Sequence, residues 1–143
     1  MVSFLLVDDS ATVLLALRHA IRQARPDAQV HEAADMNRAM KLFEEKRPGV
    51  VLMDMVLPDD EPEPAPGEEA PDSAGLRLVR QMLARTPTTS ILLVTGLPAS
   101  HPDVMAAVSL GVVGMMRKPV RPDDVKAALG ALFPDDDALS YIR

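Results

Sequence analysis

Short runs of apolar residues alternate along this chain with longer stretches whose apolar residues return every three to four positions. The runs at 2–7, Gln29–Ala33, Val50–Met53, 91–94 and 112–116 predict strands. The stretches Ala11–Ala24, Met36–Lys46, 76–85, Pro102–Leu110 and 123–132 predict helices. In the first of these, Val13, Leu14, Leu17 and Ile21 fall on one face. Ser10 stands where that helix needs an N-cap, and Asp35 and Asp123 are the candidate caps of the second and fifth helices.

Strand–helix alternation of this kind predicts right-handed βαβ units and a parallel sheet, an α/β fold. Val50-Val51-Leu52-Met53 and Ile91-Leu92-Leu93-Val94 are apolar at every position, as strands covered on both faces must be. Gln29-Val30-His31-Glu32-Ala33 is more polar and is expected at an edge. One connection does not fit the usual length of about 2–6 residues. The segment 59–74 carries Pro62, Pro64, Pro66, Pro71 and Gly67, a density that argues against a packed element. It is read as a mobile insertion within one domain spanning 1–133, followed by a tail, 134–143.

Composition adds exclusions. There is no cysteine, which removes disulfides, thiolate metal sites and Cys nucleophiles. No apolar run approaches the roughly 18 residues needed to cross a bilayer, and the start Met1-Val2-Ser3-Phe4 lacks the basic n-region of a signal peptide. A soluble, cytoplasmic chain without membrane contact is expected. The net charge is −6, yet 59–74 alone holds seven acids and no base, so the remainder stands at +1. A near-neutral body with four aromatic residues offers neither a basic footprint nor a stacking platform for nucleic acid.

The chemistry is expected where open parallel sheets hold their ligands, at the carboxyl ends of the strands. Asp8 and Asp9 follow the first strand, Asp54 the third, Thr95 the fourth and Lys118 the fifth. If these strands are neighbours, three carboxylates, a hydroxyl and an ammonium share one crevice. Three close carboxylates repel one another and call for a counter-charge. A hard divalent cation such as Mg²⁺ accepts oxygen ligands and keeps room for phosphate oxygens. A carboxylate beside it can attack phosphorus, with Lys118 neutralising a phosphate oxygen and Thr95 donating to another. Taken singly, each residue has a plainer reading. Asp8 and Asp9 could begin a helix, Asp54 could pair with Lys118 as a structural ion pair, and Thr95 and Lys118 are ordinary at such positions. The weight lies in their order and placement together.

Phe4-Leu5-Leu6-Val7-Asp8-Asp9-Ser10, Val51-Leu52-Met53-Asp54-Met55-Val56-Leu57-Pro58, Leu93-Val94-Thr95-Gly96 and Arg117-Lys118-Pro119 form an ordered set. With Glu32-Ala33-Ala34-Asp35, Gly75-Leu76 and Gly111, the set resembles the response-regulator receiver family, the chemotaxis-protein-like domains, over about residues 2–133. The resemblance implies a flavodoxin-like (βα)5 fold with strand order 2-1-3-4-5. It implies that Asp54 is the phosphoacceptor and that Asp8, Asp9, Asp54 and the backbone carbonyl of Val56 hold Mg²⁺, Asp8 mainly through water. Thr95 and Lys118 would contact the phosphoryl group, and Lys118-Pro119 would be a cis peptide. The implied donor is a sensor histidine kinase or a histidine phosphotransfer protein, and the implied output is a downstream protein target. Pairing of two copies through helix 4, strand 5 and helix 5 is compatible with it. The chain would not be a turnover enzyme but a phosphoacceptor that assists its own phosphorylation and dephosphorylation. The histidines His19, His31 and His101 have no part in this and are read as surface or helix positions.

Two features depart from the family pattern. Met115 stands on strand 5 where the family carries an aromatic residue that turns inward with the Thr, and the acidic insertion leaves strand 3 close to Asp54. Both favour the rival reading of a receiver-like interaction module that is never phosphorylated. The complete set of Asp8, Asp9, Asp54, Thr95 and Lys118 weighs against it. An aspartate-based Mg²⁺ phosphatase of the haloacid-dehalogenase type needs a second acid that Asp54-Met55-Val56 lacks. After Phe133 the remaining residues are too few for a DNA-binding domain, so the chain is expected to be a stand-alone receiver or part of a longer protein.

Overall fold

The computed structural model describes residues 2–59, 65–67 and 71–134. Half of the acidic insertion (60–64 and 68–70) and the tail from 135 onward therefore lie outside the described residues. The elements run β1 (Ser3–Val7), α1 (Ala11–Ala24), β2 (Gln29–Ala33), α2 (Met36–Lys46), β3 (Val50–Met53), α3 (Ala74–Arg85), β4 (Ser90–Thr95), α4 (Pro102–Leu110), β5 (Gly114–Arg117) and α5 (Pro122–Leu132). The strands form one sheet, parallel throughout, in the order β2-β1-β3-β4-β5. This is the flavodoxin-like arrangement that the resemblance implies, with the polar strand β2 at an edge.

Alternate residues of each strand point to opposite faces, and two separate cores result. Leu5, Val7, Val51, Met53, Ile91 and Leu93 pack under α2, α3 and α4. Phe4, Leu6, Val50, Leu52, Leu92 and Val94 pack under α1 and α5. All twelve are buried, so each strand must be apolar at consecutive positions rather than at every second one. Burying one such side chain is worth about 1.5–3 kcal/mol, and the two cores together hold the sheet rigid behind its carboxyl edge.

The helix ends follow local chemistry. The hydroxyl of Ser10 accepts from the Val13 N–H at 3.3 Å, and the Asp35 carboxylate accepts from the Arg38 N–H at 2.8 Å, as expected of both caps. Asp123 does not cap α5. The helix starts one residue earlier, with Pro122 in its first turn and Arg121 as the cap residue. There the Arg121 N–H donates to the Asp124 carboxylate at 3.0 Å. β5 likewise starts later than the 112–116 run. Gly111 takes a left-handed conformation (φ 115°), and the Val112 N–H turns back to the Ala107 carbonyl at 3.3 Å. Val112 thus serves the exit from α4, while the Val113 N–H already donates to the Ile91 carbonyl of β4 at 2.8 Å.

Both described ends of the insertion are pinned. At its start, Asp59 accepts from the Met36 N–H at 3.0 Å with its carboxylate and from the Arg77 guanidinium at 3.2 Å with its carbonyl. At its end, Asp72 pairs with Arg80 at 3.3 Å. The Ser73 N–H donates to Asp103 Oδ2 at 3.0 Å.

Candidate functional site

In this strand order the connections leave in opposite senses from β1 and β3, and the crevice at that point lies beyond their carboxyl ends. Val7 and Met53 are register partners, so the residues that follow them, Asp8 and Asp54, emerge side by side. Their backbones stay in the ladder for one more step. The Asp8 N–H donates to the Ala33 carbonyl at 3.0 Å and the Asp54 N–H to the Val7 carbonyl at 2.9 Å. Both carboxyl-bearing residues are consequently buried, Asp8 at 1 % and Asp54 at 5 % exposure.

Each carboxylate divides its oxygens between a turn and a cation. Asp8 Oδ1 accepts from the Ser10 N–H at 2.9 Å, which shapes the start of α1, so the helix-starting role is real but occupies half of the group. Its Oδ2 lies 2.8 Å from Lys118 Nζ. Asp54 Oδ1 accepts from the Val56 N–H at 3.2 Å, and Oδ2 accepts from Lys118 Nζ at 2.8 Å. Lys118 is carried to this place by β5. Its N–H donates to the Thr95 carbonyl at 3.0 Å, and its peptide bond to Pro119 is cis. Thr95 is fully buried at the end of β4, and its hydroxyl accepts from the Leu97 N–H at 3.2 Å.

The electrostatics follow from this geometry. Burial pushes the Asp54 carboxyl above its ordinary range, against the Lys118 and Val56 hydrogen bonds, and the negative charge of Asp8 pushes the same way. Burial also works against the Lys118 ammonium, but the bonds to Asp54 and Asp8 outweigh it and hold the group above its usual value. The lysine is therefore a charged partner shared by two acids.

Asp9 is exposed and completes a group of three. Asp8, Asp9 and Asp54 each offer an oxygen, all within 4.8 Å of one another. Three carboxylates against one ammonium leave two negative charges in a donor set made only of oxygens. That set fits a hard divalent cation such as Mg²⁺. Val56 contributes its N–H to Asp54, while its side chain stands half exposed beside the crevice.

The histidines lie elsewhere. His19 is exposed on α1, and His101 caps α4, its Nδ1 accepting from the Asp103 N–H at 3.1 Å. His31 lies on the edge strand β2 and not on a helix. It sits half-buried on β2 with its Nε2 buried and without a hydrogen-bond partner.

Sequence reasoning named Gly75 only as part of the resemblance and gave it no role at the site. Gly75, in the first turn of α3, packs on the main chain of Asp54 and Met55. A Cβ there would stand 2.4 Å from Met55 Cα and 2.5 Å from the Asp54 carbonyl oxygen. A glycine opening a helix was visible, but nothing near it in sequence signals the close approach.

Comparison with known proteins agrees with this picture. The family model described as the response regulator receiver domain matches residues 4–130. A cyclic di-GMP phosphodiesterase response regulator of Xanthomonas campestris pv. campestris (strain 8004) is 27 % identical over 134 residues, which cover 92 % of this chain and 32 % of that protein. The chain spans about a third of the length of the curated relatives it matches. Among solved structures, a CheY-like receiver domain protein from Methanospirillum hungatei JF-1 superposes with a TM-score of 0.77 at 20 % identity, covering 96 % of this chain and 98 % of that one. A LuxR-family two-component response regulator from Aurantimonas sp. SI85-9A1 gives a TM-score of 0.73 at 27 % identity, covering 93 % and 85 %.

Proposed function

The chain belongs to the response regulator receiver family, and from that premise we propose that Asp54 accepts a phosphoryl group from a sensor histidine kinase or a histidine phosphotransfer protein. The observation that carries this reading is Lys118 Nζ at 2.8 Å from both Asp8 and Asp54, beside a third carboxylate, at the carboxyl edge of the sheet. A purely structural ion pair needs one acid and one base and would leave no surplus of negative charge.

In the transfer, an Asp54 carboxylate oxygen forms the new P–O bond. The P–N bond to the donor imidazole breaks, its electron pair passes to the ring nitrogen, and that nitrogen takes up a proton. The Lys118 ammonium meets the negative charge of the phosphoryl oxygens, which is where a fixed charge in a water-poor site does most for such a reaction. The Thr95 hydroxyl leaves the Leu97 N–H and donates to a phosphoryl oxygen, which offers a route from the site to the β4–α4 connection. Asp8, Asp9, Asp54 and the Val56 carbonyl would hold Mg²⁺, which when bound neutralises carboxylate and phosphoryl charge together. The phosphoryl group changes the conformation read by a downstream protein target.

Incubation with acetyl phosphate and Mg²⁺, followed by intact-mass measurement, tests the assignment. The expected result is a gain of one phosphoryl group by the native chain and none by Asp54→Asn. An equal gain in the variant removes Asp54 as the acceptor.

A further inference from the structure

α3 and α4 meet above the site through a contact that no part of the proposed transfer uses. The first turn of α3 is seated on the acceptor's own backbone. Gly75 leaves no room for a side chain above Asp54 and Met55, and its N–H donates to the Met55 carbonyl at 3.1 Å. Met55 is itself fully buried. The N-terminus of α3 is therefore a fixed point relative to Asp54. Two residues earlier, the Ser73 N–H donates at 3.0 Å to Oδ2 of Asp103, in the first turn of α4. The main chain of Asp103 is meanwhile held by the His101 cap, so its carboxylate is free to serve α3.

We propose that the Ser73–Asp103 hydrogen bond is a latch that ties the first turn of α4 to the backbone of the acceptor and limits how far α4 moves when the site is occupied. The second half rests on the reading of Asp54 as the phosphoacceptor. The route is separate from Thr95, which reaches α4 along the chain, through Leu97 and the turn in which the His101 N–H donates to the Pro98 carbonyl. The latch opposes that route. A pull on the β4–α4 connection must work against a tether anchored at α3.

The backbone at Ser73 makes a clean test available. Its φ of −61° is the value proline imposes, so Ser73→Pro removes the N–H donor without backbone strain at that residue. Ser73→Ala removes the same hydroxyl cap, which holds the Leu76 N–H at 3.2 Å, but keeps the donor. The difference between the two variants is the latch. Amide hydrogen exchange in α4 is expected to be about 2- to 10-fold faster in Ser73→Pro than in Ser73→Ala, the factor one net hydrogen bond represents. Asp103→Ala should match Ser73→Pro and serves if the proline variant folds poorly. On addition of beryllofluoride with Mg²⁺, the α4 amide shifts should be larger in both latch-free forms than in Ser73→Ala. Equal exchange in the proline and alanine variants overturns the latch whatever Asp54 does. Unequal exchange with equal beryllofluoride shifts overturns its role in limiting the motion. A native chain that takes no phosphoryl group on Asp54 overturns the reading of the site and leaves the exchange comparison standing.

Discussion

Gly75→Ala sets two effects of opposite sign against each other, and the geometry decides between them. Alanine is the better helix former by up to about 1 kcal/mol, and on that ground alone the change should stabilise α3. The new methyl carbon, however, would lie 2.4 Å from Met55 Cα, 2.5 Å from the Asp54 carbonyl oxygen and 2.9 Å from the Met55 carbonyl oxygen. Non-bonded carbon atoms prefer about 3.5–4.0 Å, so the overlap exceeds 1 Å. All three neighbours are main-chain atoms at the end of a strand buried on both faces, and none can swing aside as a side-chain end would. Overpacking costs about 1–3 kcal/mol, and against fixed main chain the upper part of that range applies, so after a helical gain of about 1 kcal/mol the net expectation is destabilisation of about 1–2 kcal/mol. For a chain of this size each kcal/mol lowers the Tm by about 3–5 °C. Thermal and urea unfolding measure it directly, with an unchanged urea slope showing that the native fold is kept. Phosphorylation by acetyl phosphate should slow as well, because the relief of the clash displaces the backbone of Asp54. Gly96→Ala is the matched control. It also stands beside the site, yet a Cβ there meets nothing within 4 Å, so its effect should stay within about 0.5 kcal/mol. A Gly75→Ala protein as stable as the native chain would refute the close approach and, with it, the fixed anchor on which the latch depends.

Two further outcomes follow from the site and from β2. Added Mg²⁺ should raise the Tm by linkage, and the rise should be lost in Asp9→Ala; an unchanged rise in that variant places the cation elsewhere. His31 is held below its ordinary value of 6.5 by burial and then by the charge of Lys46. A base whose pKa is lower folded than unfolded contributes stability above the unfolded value, and that stability is lost as pH falls through the folded one. The Tm of the native chain should therefore drop more steeply below pH 6.5 than that of His31→Gln, and superimposable profiles of the two would rule this out.

The sequence reveals most where one local cause decides the outcome. Val50–Met53 is apolar at every position because α1 and α5 cover one face and α2, α3 and α4 the other, so the run announces a central strand. The polar run Gln29–Ala33 announces an edge for the converse reason. Strand ends are equally legible, and with them Asp8, Asp54, Thr95 and Lys118, since the place of a ligand in such sheets is set by topology. The order of the strands is different. Nothing inside Val50–Met53 says that β1 will be its neighbour, and only the resemblance of the ordered motifs supplied that. Least legible are contacts made between distant segments. The carboxylates of Asp59 and Asp103 find their donors 23 and 30 residues away, at Met36 and Ser73. Asp123 failed for a local reason instead. A good capping residue stood beside Pro122, but the position of a proline in the first helical turn outweighed it and moved the start of α5 by one residue.

The site is not where the fold gains its stability. Asp54 carries a pKa raised chiefly by burial, so its contribution is fully present only below its unfolded value and is lost as pH rises through the folded one. Ionising this carboxyl in the folded chain therefore costs stability, and the Lys118 hydrogen bond reduces that cost without cancelling it. On the proposed reading of Asp54, the same burial leaves its carboxylate less hydration to shed on attacking phosphorus, and the Lys118 hydrogen bond favours the anion against burial and the charge of Asp8. The cost is tolerable because the strand that bears it is clamped from three sides, by β1, by β4 and by the glycine face of α3. The two cores beneath the sheet support a buried charged group that would destabilise a looser scaffold, so the residues below this edge serve packing and leave the edge itself free to carry the acids and Lys118.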